Sequence, residues 1–329
     1  MARSHLTLAA LATSAAPGLD IVEASTFGSV GGDFDCALLT DRDGRHWLVR
    51  VPRNERAEAE QSADLVALRA LSAGVRTRLH FSVSAFAGQT PINGTRAIVY
   101  EFVYGSKVPL AALDIARASS VGRAIAAIHA LPTSFIADSG LPVLSALDCL
   151  RSCVSIIDRA AATGLVPPVL LSRWEGATEE SRLWQFQPTV INGSLSADSL
   201  LFVDAEVTGV LDWHELRVGD PARDLSWILG ARDDAVPEVA LDAYNQVRGG
   251  ADRQVRQRAT LYSELELAKW LLHGTELRNA DIVDDAVNLL AGLTDSVRND
   301  VLHPIGAQTM PTLAVNEVES MLARTERAI

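Results

Sequence analysis

The chain has 329 residues, 48% of them hydrophobic, with a formal net charge of −12 and a pI near 5.0. That length suits two lobes of one catalytic unit better than a single core, and that apolar content excludes general disorder. The acidic balance and the lack of basic clusters argue against a nucleic-acid partner, since phosphate neutralisation needs such clusters; solubility accounts for the acidity as well as a cationic substrate would.

The N-terminal run is read first. Arg3, an apolar stretch and small residues near Ala15 and Ala16 are the ingredients of a short secretory signal. A helix over 6–13, packed on the first lobe and ended by Pro17-Gly18, is the preferred reading. Residues 34–40 and 46–51 are strand candidates joined by the turn signal Asp41-Arg42-Asp43-Gly44-Arg45. A helix rich in Ala, Glu and Leu is expected over 55–73, closed by Gly74, and a strand over 96–102. Beyond Gly105 the pattern turns helical over 110–131, 146–163 and most of 233–298, punctuated by Pro132, Pro142, Pro167-Pro168 and Pro221. A last helix is expected over 312–327, with Val315, Val318 and Leu322 on its apolar side. Cys36, Cys149 and Cys153 form no metal-ligand spacing, and their sparse, odd number fits a reducing cytoplasm. No stretch is long and apolar enough to span a bilayer.

The most informative segment is 190–225. Apolar runs at 200–203 and 208–211 flank a turn-like stretch and predict a β-hairpin. The polar loop Asn192-Gly193-Ser194-Leu195-Ser196-Ala197-Asp198-Ser199 precedes it and Asp212 closes it. A carboxylate closing a buried strand is costly unless it binds a cation or several donors, and Mg²⁺ takes oxygen ligands of this kind; the alternative is an aspartate that caps the following turn. With Val210-Leu211-Asp212-Trp213 and Gly219-Asp220-Pro221-Ala222-Arg223-Asp224-Leu225, the segment resembles the aminoglycoside and macrolide phosphotransferase family. The usual form there is His-Gly-Asp-Leu-His-x-x-Asn, then Ile-Asp-Trp, then Gly-Asp-Pro-x-x-Asp-Leu.

The resemblance implies an α+β, two-lobed protein-kinase-like fold. A small antiparallel-sheet N-lobe with one main helix would span 1–104, and a larger, mostly helical C-lobe 105–329. It implies ATP or GTP with Mg²⁺ as cofactor and a small-molecule substrate, with no nucleic acid and no membrane. On its pattern, Gly28, Ser29, Gly31 and Gly32 would form the phosphate cradle, because glycines let consecutive N–H groups converge on phosphate; an ordinary tight turn is the plainer reading. Arg50 stands at the strand cation, where arginine grips phosphate bidentately; the alternative is a solvent-facing residue opposite Val49 and Val51. Asp64, or Glu60 one turn earlier, would be the helix carboxylate paired with Arg50. The hinge that receives the base falls at Val99-Tyr100-Glu101-Phe102, mainly through backbone groups. Asp220 and Asp224 would hold loops, Asp220 reaching back toward Asn192, and His129 reads as a buried hydrogen-bonding residue.

The catalytic loop departs from the family pattern. Ser194 stands at the position of the catalytic aspartate, Asn192 at that of the histidine and Ser199 at that of the metal-binding asparagine. Serine is no base near neutral pH, and losing a positioned base costs about 10²–10⁴-fold in rate. Asp198 is the candidate replacement metal ligand beside Asp212. Three readings follow: a pseudokinase-like protein that keeps the nucleotide and has a regulatory or sequestering function, for which a protein partner is possible; an active O-phosphotransferase with a rearranged base; or a protein-interaction module that has lost the nucleotide as well, against which Asp212 and the glycine loop argue. Among Asp233, Asp234, Glu238, Glu264 and Glu266 are acidic candidates for an amine-bearing substrate, though a solvated helix face explains them equally.

Overall fold

A computed structural model describes residues 3–28, 32–249, 252–299 and 305. Ser4 caps helix α1 (His5–Ala15), accepting from the Thr7 amide at 3.2 Å. There follow β1 (Ile21–Phe27), β2 (Phe34–Asp41) and β3 (His46–Pro52), then α2 (Glu55–Ala70) capped by Asn54, the short α3 (Ala73–Arg76), β4 (Ser82–Val83), β5 (Phe86–Ile92) and β6 (Thr95–Glu101). Five of these strands make one antiparallel sheet in the order β1-β2-β3-β6-β5.

Strand parity decides what each face of that sheet does. Ala37, Leu39, Trp47, Val49, Val51, Ala97 and Val99 form one core with Leu8, Ala12 and Ala15 of α1. Ile98 and Tyr100 lie on the opposite face, in the core that includes Leu65, Leu68 and Leu71 of α2. Arg50 pairs in register with Cys36 and Ile98, so it shares the α2 side and faces away from α1.

The second lobe is mostly helical: α4 (Ile115–His129), α5 (Ser134–Asp138), α6 (Ala146–Ala162) and α7 (Pro168–Glu179) come first. Then β7 (Thr189–Ile191), β8 (Leu200–Val203), β9 (Glu206–Val210), β10 (Arg217–Gly219) and α8 (Ala222–Leu225) carry the 190–225 segment, before α9 (Ala235–Arg248), α10 (Val255–Leu277) and α11 (Ala280–Asn299). A reciprocal Ser145–Asp148 box starts α6, and Gly249 at φ +71° ends α9. Strand β4 runs parallel to β9 and so ties the first lobe's connection to the hairpin. This is the two-lobed, protein-kinase-like α+β fold that the sequence pattern implies. Among the described residues, no helix is long and apolar enough to cross a membrane.

Several boundaries move for local reasons. The helix expected over 55–73 stops at Ala70, and Ser72 opens a separate short turn that contains Gly74. Asp114 caps α4, accepting from the Arg117 amide at 2.9 Å, so the expected 110–131 helix begins only at Ile115. Strand β5 and helix α7 were not anticipated. The helix expected over 312–327 lies outside the described residues.

Candidate functional site

A cleft of ≈ 470 Å³ opens between the lobes. Phe27, Gly28, Gly32 and Asp33 line it from the glycine loop, Leu48 and Arg50 from β3, Glu101, Phe102 and Val103 from the hinge, and Asp212 from the turn after β9. Ser29 and Gly31 lie outside the described residues. Where the chain leaves the hinge, Gly105 has φ +142°, and a Cβ there would stand 2.8 Å from Leu201 Cβ, so only glycine fits. The expectation for Tyr100 concerns its backbone, and its side chain lies away from the cleft. Parity sends it with Ile98 to the α2 side, where it is buried, lines neither cavity of the site, and has a hydroxyl with no hydrogen-bond partner among the described residues. Burial pushes that phenol up, with Asp64 adding to the rise.

Asp212 sits at φ +56°, in the left-handed region that non-glycine residues seldom occupy. Its carboxylate, 38% exposed, is 3.9 Å from Arg50, whose guanidinium also lies over the Phe34 ring at 4.1 Å. Burial works against the Arg50 charge, but Asp212 and its neighbours outweigh it and hold the pKa above the ordinary value. Asp64, from α2, accepts the Trp213 amide at 2.8 Å. Burial lifts the Asp64 carboxyl above the usual carboxylate range; the Trp213 N–H opposes that rise more than Arg50 does. Glu60 pairs instead with Arg56 at 3.7 Å.

The loop from Asn192 is fastened by Asp224. Both backbone amides at its start donate to that buried carboxylate, Asn192 at 2.8 Å and Gly193 at 2.7 Å. Gly193 has φ +85°, and a Cβ would lie 2.6 Å from the Glu215 carbonyl oxygen, which fixes glycine there. His129 is buried as expected, with Nε2 3.2 Å from Asp224 and Nδ1 3.0 Å from the Tyr244 hydroxyl. The role expected of Asp220 therefore belongs to Asp224. Asp220 turns instead to α10, accepting from Arg258 Nε at 2.8 Å and Nη2 at 3.0 Å, and from Tyr262 at 3.2 Å. The Asn192 side-chain amide donates to the Asp212 carbonyl at 3.1 Å, not to Asp220. Ser194 Oγ lies 3.0 Å from the same carbonyl and 3.1 Å from Asn192 Oδ1, so its single hydrogen has an acceptor in place on either side.

A second cavity of ≈ 330 Å³ adjoins the first through Phe34, Arg50 and Asp212. Glu60, Asp64, Ser194, Ser196, Ser199 and His214 also line it. Ser199 Oγ is 3.3 Å from Ser196 Oγ. Asp198 is exposed on the turn before β8 and lines neither cavity. Phe34, Lys107 and His214 join the site without a sequence signal, except that His214 stands two residues after Asp212. Of the acidic candidates in the helical lobe, Asp234, Glu238 and Glu264 line a separate cavity of ≈ 380 Å³, where Glu264 is held by Arg173 and by Trp174 Nε1.

This chain matches the model of the phosphotransferase enzyme family over residues 27–262, which takes in the glycine loop, the hinge and the whole 190–225 segment. The chain belongs to that family. The uncharacterized protein YcbJ of Bacillus subtilis (strain 168) is similar to it, 25% identical over 248 residues that cover 69% of this chain and 76% of that protein. Among solved structures, macrolide 2′-phosphotransferase MphH from Brachybacterium faecium superposes with a TM-score of 0.72 at 24% identity, covering 87% of this chain and 98% of that one. The GDP and kanamycin complex of APH(2″)-IIIa gives a TM-score of 0.71 at 17% identity, covering 90% and 100%. At these identities the two structures establish the shared fold alone.

Proposed function

We propose that the chain binds ATP or GTP between its lobes and is a pseudokinase-like member of its family, in which nucleotide binding outlasts fast phosphoryl transfer. The observation that carries this reading is the single cleft that gathers Gly28, Gly32, Arg50, Asp212 and the hinge residues Glu101 to Val103. Phosphoryl transfer needs positioning and charge neutralisation first, and the cleft offers a cradle, a cation and a carboxylate in that arrangement. Slow transfer is inferred from the serine at the base position, whose hydroxyl already has the Asp212 carbonyl and Asn192 Oδ1 within hydrogen-bond distance. We place the lobe boundary after residue 104 and the protein in a reducing cytoplasm, in keeping with three free thiols.

Mg²⁺ fits this site in a reduced form. Among the described residues no three His, Cys, Asp or Glu gather to hold a metal alone. Asp212 and Ser199 supply one carboxylate and one hydroxyl, which suit Mg²⁺ in company with phosphate oxygens and water. When bound, the ion would neutralise phosphate charge; Arg50 would add its own charge, and the hinge backbone would orient the base.

Calorimetric titration with ATP and GTP, with and without Mg²⁺, beside an Asp212→Ala control, tests the reading. Saturable binding that weakens in the control is expected; no binding at millimolar nucleotide would overturn it. A second reading, an active O-phosphotransferase on a macrolide- or aminoglycoside-like hydroxyl, is favoured by the ≈ 330 Å³ cavity beside Ser194 and Asp212, which leaves room for an acceptor group.

A further inference from the structure

The peptide unit joining Asp212 to Trp213 is gripped at both ends and from both lobes. Its N–H donates to Asp64 Oδ1 on α2 at 2.8 Å. Its carbonyl accepts from the Asn192 amide at 3.1 Å and lies 3.0 Å from Ser194 Oγ, both on the loop of the other lobe. Arg50 pairs with Asp212, and among the described residues no ion pair joins Arg50 to Asp64. An aspartate in the left-handed region stores backbone strain and stays there only where its surroundings over-determine it. Fixing the peptide plane after Asp212 fixes its ψ, and with it the direction of the carboxylate.

We propose that Asp64, Asn192 and Ser194 act as a two-lobed clamp on the Asp212–Trp213 peptide. Asp64 is a positioning residue for Asp212 through the hydrogen bond that its Oδ1 accepts, and an ion pair to Arg50 is not its role. Serine at position 194 then has a function of its own, since its hydroxyl donates where a carboxylate could only repel. The consequence for ligand binding rests on the nucleotide reading above; the clamp itself does not.

The discriminating variants are Asp64→Asn, whose amide oxygen still accepts from Trp213, and Asp64→Ala, which offers nothing. Amide hydrogen exchange at Trp213 is the first readout. Protection in the wild type and in Asp64→Asn, with fast exchange in Asp64→Ala while α4 stays protected, is expected. Nucleotide affinity is the second: a loss of about tenfold in Asp64→Ala, with Asp64→Asn recovering to within about threefold of wild type, follows from one unmatched buried donor. If Asp64→Ala does not fold, Ser194→Ala removes one of the two carbonyl-side bonds and is expected to weaken nucleotide binding several-fold in a chain that still unfolds cooperatively, with a melting temperature lowered by no more than a few degrees. Equal losses in Asn and Ala variants would overturn the clamp in favour of an ion pair, and unchanged exchange in Asp64→Ala would overturn it outright. A wild type that binds no nucleotide would retire the functional reading, and the exchange data would still decide the clamp.

Discussion

Asp224→Asn is the sharpest test of how the loop that begins at Asn192 is held. The carboxylate is inaccessible to solvent and takes the Asn192 amide at 2.8 Å on Oδ2 and the Gly193 amide at 2.7 Å on Oδ1, with His129 Nε2 at 3.2 Å. In the asparagine variant one oxygen becomes an NH₂ group that faces a backbone donor. A hydrogen bond to a charged acceptor contributes about 1.5–3 kcal/mol, and a buried donor left without an acceptor costs about 1–3 kcal/mol. Because the amide retains one acceptor, only one side of the site fails, and the expected loss is about 3 kcal/mol. Against a total stability of about 5–15 kcal/mol for a domain, that is readily resolved by urea unfolding followed by tryptophan fluorescence. Asp224→Leu, with no acceptor at all, should cost more. A loss below about 1 kcal/mol in the asparagine variant would refute the reasoning, since it would mean that the two loop amides find their acceptor elsewhere.

Arg258→Met should destabilise by about 3–5 kcal/mol, because it strands the buried Asp220 carboxylate that Arg258 now holds with two hydrogen bonds; a smaller cost in the Arg258→Met, Asp220→Asn double variant would identify the stranded charge as the cause. Ser194→Asp should raise the turnover of any phosphotransfer by about 10²–10⁴-fold at saturating nucleotide, the contribution of a positioned base, while weakening nucleotide affinity through the lost grip on the Asp212 carbonyl; unchanged turnover would show that position 194 is not the limiting loss. Burial alone would raise the Asp35 carboxyl, but hydrogen bonds from Arg53 at 2.7 Å and Arg3 at 2.9 Å outweigh it and leave the pKa below 3.8. A depressed folded pKa means that the unfolded chain takes up the proton first, so the stabilisation is complete above about pH 5 and is lost as pH falls through 3.8 towards the folded value. The stability gap between wild type and Asp35→Asn, measured by urea titration, should therefore be widest at neutral pH and close in acid; a gap that widens below pH 4 would contradict this.

What could be read from the sequence is what short-range pattern encodes. The β8–β9 hairpin, the β2–β3 turn and the stop–start logic of α6 all announce themselves within a dozen residues. Strand β5 does not: it contains Gly88 and Pro91, both poor strand formers, and is a strand because β6 offers it an edge. A hinge motif fixes a segment such as 99–102, while parity, set by the sheet's two cores, fixes which of its side chains face the cleft, and the side chain of Tyr100 does not. The exchange of roles between Asp220 and Asp224 is a tertiary matter. Both are buried aspartates four residues apart, and only the positions of Arg258 and of the Asn192–Gly193 backbone tell them apart.

The same distinction bears on how a loop without its base should be understood. Judged by residue type alone, Ser194 and Asn192 are losses: no proton acceptor, no histidine. Judged by contacts, both side chains reach the Asp212 carbonyl, and Asp64 meets them from across the cleft on the adjoining N–H. Net contributions of about 0.5–1.5 kcal/mol for each such bond are together enough to offset the strain of about 1–3 kcal/mol that a left-handed aspartate carries. On the proposed clamp, Asp212 is aimed before any ligand arrives, and little reorganisation would remain to be met on binding. On the nucleotide-binding reading, a chain with serine at position 194 and its Asp212 carboxylate preorganised is suited to holding a nucleotide for long periods, and slow turnover would then be a consequence of how the loop is built.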